Sequence, residues 1–148
     1  MGGLMTVLVM SSVTGCGDDI VEPKLTIADW VGTWDADSLT MTNVADTTVV
    51  ANVLDFGSFV IVIEQSGQYT ATLVVGSGNP PGIEIGDLDV IGTTLQLKRT
   101  FPPPESTASS SFVFGADDYV ILDGDSEFDF NLSGVPEAAL AHFELRRR

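Results

Sequence analysis

Cysteine and histidine are almost absent from this sequence, which contains only Cys16 and His142. A single cysteine cannot form an intrachain disulfide, so the fold must depend on its hydrophobic core. Zinc sites built from histidine and cysteine, and nucleophiles activated by histidine, lack the residues that they need. The Gly-x-Ser-x-Gly sequence of α/β-hydrolases is also missing. We therefore expect a protein that is not an enzyme and has no cofactor.

Basic residues are scarce as well. The 148 residues include 21 Asp and Glu but only six Lys and Arg, which gives a net charge of −15. Three of the six basic residues are Arg146, Arg147 and Arg148. Nucleic-acid binding requires a basic face that neutralises phosphates, so this distribution argues against a nucleic-acid partner. An acidic, self-repelling surface is expected instead.

The first 15 residues carry no charge and contain an apolar run at residues 4–10. This run is much shorter than the roughly 20 residues that a membrane-spanning helix needs. An apolar run followed by small and polar residues is typical of a secretory signal peptide. We predict that residues 1–15 form such a signal peptide and take no part in the fold.

The tetrapeptide Val13-Thr14-Gly15-Cys16 follows directly. It resembles the lipobox of bacterial lipoproteins, whose cysteine receives a diacylglyceryl group. The resemblance implies that Cys16 is the lipid attachment site, that residues 16–24 are the lipidated cysteine and its tether, and that the membrane of the bacterial cell envelope holds the protein. Gly17 in place of Asp implies the outer membrane, facing the periplasm or the cell surface. In the alternative interpretation, Cys16 is only a small residue behind a hydrophobic tail.

Residues 25–148 form one predicted domain, in which short β-rich segments alternate with turn residues. This pattern predicts an all-β antiparallel meander. Strands are expected at residues 58–64 and 69–75, joined by a hairpin loop that contains Gly67. A second pair is expected at residues 83–90 and 94–98, joined by a turn at residues 91–93.

The rest of the chain contains further strand, turn and loop patterns. Tyr119 to Leu122 read as a strand that ends at an Asp123-Gly124 turn, and alternation at Phe128, Phe130 and Leu132 predicts another strand. Phe143 and Leu145 indicate a last strand. Loops are predicted at residues 76–82 and 102–106. One helical turn is predicted at residues 26–30, with Thr26 as its cap.

A meander of successive antiparallel strands leaves two exposed edges, and closure into a barrel removes both. Gly32-x-Trp34 lies at the start of the first strand and resembles the Gly-x-Trp motif of the lipocalin and calycin superfamily. The whole organisation is similar to that of small bacterial lipocalin-like lipoproteins. This resemblance implies a small lipocalin-like β-barrel of about eight to ten strands, with an open β-sandwich as the alternative. It also implies that Trp34 plugs the closed end beneath an arginine, either Arg146 or Arg147.

Acidic pairs and one oxygen-rich loop are the remaining candidates for chemistry. Asp117 with Asp118, and Asp123 with Asp125, adjoin glycines and are explained by solvated turns. The sequence Asp129-x-Asn131-x-Ser133-Gly134 matches the opening of a calcium loop, but its twelfth position is Leu140 instead of a bidentate Glu. We therefore predict no catalytic residues and no metal site.

Aromatic residues recur at strand spacing and are expected on one side of their strands: Phe59, Tyr69, Phe112, Phe114, Tyr119, Phe128 and Phe130. Inward-facing residues of a small barrel either fill its interior or line a cavity for one ligand. The lipocalin resemblance implies a lipid-anchored, non-catalytic protein that binds a small apolar ligand, although the sequence does not identify the ligand-binding residues. The alternative is a structural or adaptor lipoprotein that presents its acidic surface to an unidentified protein of the cell envelope.

Overall fold

The computed structural model describes residues 24–76, 78–131 and 133–148, and the predicted signal peptide and Cys16 lie outside these ranges. No helix within the described ranges is long and apolar enough to cross a membrane. The described residues form one α-helix, one 3-10 turn and nine strands: α1 Ile27–Trp30, β1 Gly32–Asn43, β2 Val50–Asn52, η1 Val53–Asp55, β3 Gly57–Ile63, β4 Gln68–Val75, β5 Gly82–Ile91, β6 Thr94–Phe101, β7 Ser106–Phe114, β8 Tyr119–Phe128 and β9 Glu137–Arg147.

The strands form a closed antiparallel barrel. Consecutive strands from β3 to β9 pair as neighbours, and β1 joins the two ends because it pairs with both β3 and β9. Eight strands thus close the barrel, and β2 is an extra strand on the far end of β1. The prediction of an all-β, lipocalin-like barrel is confirmed, and the protein is a closed barrel and not an open sandwich.

The hairpin of β3 and β4 follows from alternation and turn chemistry, as predicted. Gly67 adopts a φ of +87°, in the left-handed region that glycine tolerates. Its N–H donates to the Glu64 carbonyl over 3.0 Å, while the Glu64 N–H donates to the Gln68 carbonyl over 2.8 Å. Ile63 is therefore placed opposite Tyr69, and both side chains are buried.

Two strand boundaries differ from the sequence prediction. The expected turn at Asp123-Gly124 is wrong, because β8 continues through both residues to Phe128. Glycine is needed there for close strand approach, since a Cβ on Gly124 would lie 2.5 Å from the Ser110 Oγ. The expected strand beyond Phe128 is also wrong. The Asp129 carboxylate accepts hydrogen bonds from the backbone N–H groups of Ser133 (3.0 Å) and Gly134 (2.6 Å), which turns the chain instead.

The short helix α1 precedes β1 and places Trp30 inside one end of the barrel. The Thr26 N–H and hydroxyl donate to the Asp29 carboxylate over 2.7 and 3.1 Å and so cap the first turn of the helix. These hydrogen bonds lower the pKa of Asp29. Trp30 is almost fully buried. We call the part of the interior near α1 the closed half. The part around Leu39, Met41, Val53, Ala139 and Ala141 is the open half.

Candidate functional site

The closed half is sealed by Trp34. This side chain has no exposed surface, and its Nε1–H donates to the Trp30 carbonyl over 2.7 Å. The Arg147 guanidinium lies over the indole, 4.5 Å from the ring centre, within the range of a cation–π interaction. Of the two arginines that the sequence offered, Arg146 and Arg147, it is therefore Arg147 that covers Trp34. Arg146 points to the outer surface, where its Nε–H donates to the Asp37 carboxylate over 2.8 Å.

Gly32 makes room for this arginine. Its φ is +138°, and a Cβ at this position would lie 3.3 Å from Cδ of Arg147. Arg147 also donates from Nη2 to the Asp29 carbonyl, and its Nη1 lies 3.5 Å from the Asp118 carboxylate. One arginine near the end of β9 thus connects α1, β1 and the turn between β7 and β8.

Aromatic rings fill the rest of the closed half. Trp30 packs edge-to-face on Phe112 and Phe114, with ring centres 5.1 and 4.9 Å apart. Tyr119, however, was placed on this inner side by its spacing, and that expectation is wrong. The neighbouring Val120 is fully buried, so Tyr119 faces outward, where Arg146 lies 5.4 Å from its ring centre.

The open half, in contrast, contains a cavity of ≈ 410 Å³. Its apolar wall includes Phe59 and Phe143, whose rings lie 5.2 Å apart. Small residues elsewhere in the lining leave space that larger side chains would fill: Ala71, Ala108, Ser110, Ser126 and Ala141. The volume lies within the range of about 300–1,000 Å³ that is typical of small-molecule sites.

One wall of the cavity carries a polar cluster of Tyr69, Glu84 and Arg99. The Tyr69 hydroxyl donates to Glu84 Oε1 over 2.6 Å, and Glu84 Oε2 lies 3.8 Å from Arg99 Nη1. Burial raises the pKa of Tyr69 above its ordinary value, and the hydrogen bond to Glu84 raises it further. Tyr69 is therefore a neutral hydrogen-bond donor across the physiological range of pH.

Arg99 keeps an unused donor in this cluster. Its Nη2–H donates to the Pro104 carbonyl over 3.1 Å, whereas its buried Nε–H has no hydrogen-bond partner among the described residues. A buried polar group without a partner is costly and marks a place where a ligand acceptor would be favoured. The cluster is suited to orienting one polar group of an otherwise apolar ligand.

Strand register brings these three residues together although they are far apart in the chain. Tyr69 lies opposite Gly86 in the ladder of β4 and β5, and Gly86 lies opposite Arg99 in the ladder of β5 and β6. A Cβ on Gly86 would approach Cε1 of Tyr69 to 2.8 Å, so glycine allows the tyrosine ring to cross β5. The hydroxyl then reaches Glu84, which is two residues before Gly86.

Sequence reasoning missed Glu84 and Arg99, although a signal was present. Glu84 has the same strand parity as the buried Leu88, whereas Asp87 and Asp89 have the opposite parity. Arg99 likewise shares the parity of Leu95 on β6, whose side chain is almost fully buried. Charged residues that fall in step with the apolar face of a strand are candidates for an internal polar site.

His142 lies on the outer surface of β9, where it contacts two carboxylates. Its Nδ1 is 2.6 Å from an oxygen of Asp123, and its Nε2 is 3.4 Å from an oxygen of Glu144. The hydrogen bond to Asp123 is the main cause that raises the pKa of His142. Asp123 and Asp125 lie within β8 and not in the expected turn, whereas Asp117 and Asp118 do occupy a turn, with φ values of 60° and 54°.

Comparison with known proteins adds no relative. No protein-family model matches the chain, and no curated protein matches its sequence. The barrel and the geometry of its interior therefore carry the functional argument.

Proposed function

We propose that this chain is a lipid-anchored, non-catalytic protein of the bacterial cell envelope that binds a small, mainly apolar ligand inside its barrel. The observation that carries the proposal is the ≈ 410 Å³ cavity beside the cluster of Tyr69, Glu84 and Arg99. A lipocalin-like barrel is compatible with this role. A structural role through the acidic surface would require no internal space, so the cavity favours ligand binding.

The lining of the cavity supports a ligand with an apolar body. Phe59, Phe143 and Leu73 offer apolar contact surface, and removing such surface from water on both sides contributes about 25 cal/mol per Å². Glu84 and Arg99 carry opposite charges and together add no net charge to the cavity. Because Asp125 and Glu127 also line the cavity, a neutral ligand with one hydrogen-bonding group fits better than an anionic one.

The proposed anchor would join the barrel at its closed end. A tether at residues 16–24 would lead into α1, which covers the closed half, and would extend over roughly 30 Å at most. The cavity begins beside the closed half, where Ile61 and Tyr69 line it, and extends toward Met41 near the other end of β1. In this arrangement the closed end would face the anchoring membrane and the ligand site would face away from it.

Native mass spectrometry of protein expressed in a bacterial envelope tests the ligand proposal. We expect a discrete small molecule to copurify, or to bind after incubation with envelope lipid extract. Ala141→Leu should remove the adduct, because Ala141 is buried against the cavity. Ala138→Leu is the matched control on the exposed face of the same strand and should retain it. Bare protein under every condition would overturn ligand binding and favour the structural alternative.

Membrane fractionation tests the anchor separately. Cys16→Ala should release the protein into the soluble fraction, because the only thiol that could receive a diacylglyceryl group is removed. Thr14→Ala is a control that leaves the cysteine in place. Unchanged membrane partitioning of Cys16→Ala would overturn the lipidation proposal and leave the ligand proposal untouched.

A further inference from the structure

The barrel wall is incomplete between β7 and β8. Backbone pairing of these strands runs from Phe114 opposite Val120 to Ser110 opposite Gly124 and stops there. Beyond this pair, residues 106–109 are paired only with β6, and residues 125–128 only with β9. We call the opening between these two segments the side gap.

Gly124 lies at the apex of the side gap. A Cβ at this position would lie 2.8 Å from the Ser109 carbonyl oxygen, so glycine allows β7 and β8 to approach closely just before they separate. The inner residues beyond it, Ala108 and Ser126, are small and provide little apolar contact between the two strands. The opening therefore follows from the residues that line it.

The side gap opens into the cavity. It holds a groove of ≈ 470 Å³, lined by Thr107, Ala108, Ser109, Asp125, Ser126 and Glu127. Ala108, Asp125, Ser126 and Glu127 also line the cavity of the open half. The cavity thus reaches the barrel surface through its side wall.

The side gap is polar, whereas the opposite wall of the cavity is apolar. Hydroxyl groups and carboxylates line the gap, and alternate backbone N–H and C=O groups of each unpaired segment are directed toward it. Arg99 lies opposite Ser106 in the ladder of β6 and β7, so the polar cluster adjoins the edge of the gap. The cluster and the gap are therefore separated only by β7.

We propose that the side gap binds the polar end of the ligand. The ligand is a single-chain amphiphile whose apolar chain occupies the cavity and whose neutral, hydroxyl-rich end emerges between β7 and β8. Hydroxyl groups donate to the carboxylates of Asp125 and Glu127 and accept from backbone N–H groups, so they match both sets of partners. This inference rests on the proposed ligand-binding function and adds the class of ligand and its orientation.

A reversible closure of the side gap tests this orientation. Ser109 and Asp125 would form the next pair of the ladder after Ser110 and Gly124. In the Cys16→Ser protein, the pair Ser109→Cys and Asp125→Cys should form a disulfide that closes the gap when oxidised and opens it when reduced. The two probes are dodecyl maltoside below its micellar concentration, with a disaccharide end, and 1-dodecanol, with a single hydroxyl. Calorimetry measures the affinity for each.

We expect oxidation to weaken dodecyl maltoside binding by roughly tenfold or more and to change dodecanol binding less than about twofold. Ser109→Trp places a large side chain beside the gap and should weaken dodecyl maltoside binding in the same way if the thiols do not pair. Ser111→Trp, on the paired part of β7, should leave that binding unchanged. Equal binding of dodecyl maltoside in both states, or in both tryptophan variants, would overturn the side-gap inference alone. Failure of dodecyl maltoside alone to bind the Cys16→Ser protein with Ser109 and Asp125 unchanged would overturn the side-gap inference. Failure of both probes to bind that protein would overturn the ligand proposal as well.

Discussion

The two halves of the barrel interior are lined by the same strands but are packed differently. In the closed half, Trp30, Trp34, Phe112 and Phe114 pack in tilted and edge-to-face pairs, and ring centres of neighbouring pairs lie 4.9–6.0 Å apart. In the open half, alanine and serine take the equivalent inward positions on several strands, and ≈ 410 Å³ remains unfilled. One half is therefore tightly packed, whereas the other leaves space inside the barrel.

The difference follows from side-chain volume along single strands. On β7, Phe112 and Phe114 point into the closed half, while Ala108 and Ser110, which lie four and two residues before Phe112, line the cavity. On β9, Leu145 is buried near the closed end and Ala141 lines the cavity. Strand parity decides which residues point inward, and the size of those residues decides whether space remains.

Truncation of an aromatic residue in each half is the strongest test of this comparison. Trp34→Ala should lower the free energy of unfolding by about 3–5 kcal/mol, because it removes a fully buried ring and leaves a new cavity. Phe143→Ala should cost only about 1–2 kcal/mol, because its ring already borders empty space and loses fewer contacts. Urea unfolding followed by circular dichroism measures both values. Equal losses would show that the two halves do not differ in packing.

Part of the fold could be predicted from the sequence, because local patterns suffice for it. Alternation and Gly67 predicted the hairpin of β3 and β4, whereas the role of Trp34 was implied only by the resemblance of Gly32-x-Trp34 to a lipocalin motif. One error arose where a residue type serves two purposes. Gly124 resembles a turn residue, yet the structure uses it for close approach to Ser110.

The polar cluster could not be assembled from local patterns. Tyr69, Glu84 and Arg99 lie on three strands and are brought together only by the registers of two ladders, one of which is shifted by a bulge before Gly86. A sequence shows the parity of each residue but not the register that connects strands. The side gap was missed for the same reason, since it depends on where the pairing of β7 and β8 stops.

The two neighbouring arginines near the end of β9 provide a second, smaller test. Arg147→Ala should lower the free energy of unfolding by about 1–2 kcal/mol, because the cation–π contact with Trp34 and the bond to the Asp29 carbonyl are lost. Arg146→Ala should change it by less than about 1 kcal/mol, because its ion pair with Asp37 is exposed. Chemical unfolding of both variants separates the inner arginine from the outer one. A larger loss for Arg146→Ala would contradict the assignment of Arg147 as the residue that covers the closed half.

The smallest expected effect concerns the outer wall of the open half, where His142 joins β9 to Asp123 of β8 beside the apex of the side gap. The hydrogen bond to Asp123 raises the pKa of His142 above its ordinary value of 6.5. The stabilisation is therefore fully present below pH 6.5 and is lost as the pH rises through the higher pKa of the folded state. The melting temperature of the wild type should exceed that of His142→Asn most at low pH, and the difference should shrink as the pH rises. Because the His142 side chain is 38% exposed, added salt should reduce the difference. A difference that does not change with pH would mean that the charge of His142 does not hold β8 and β9 together beside the gap.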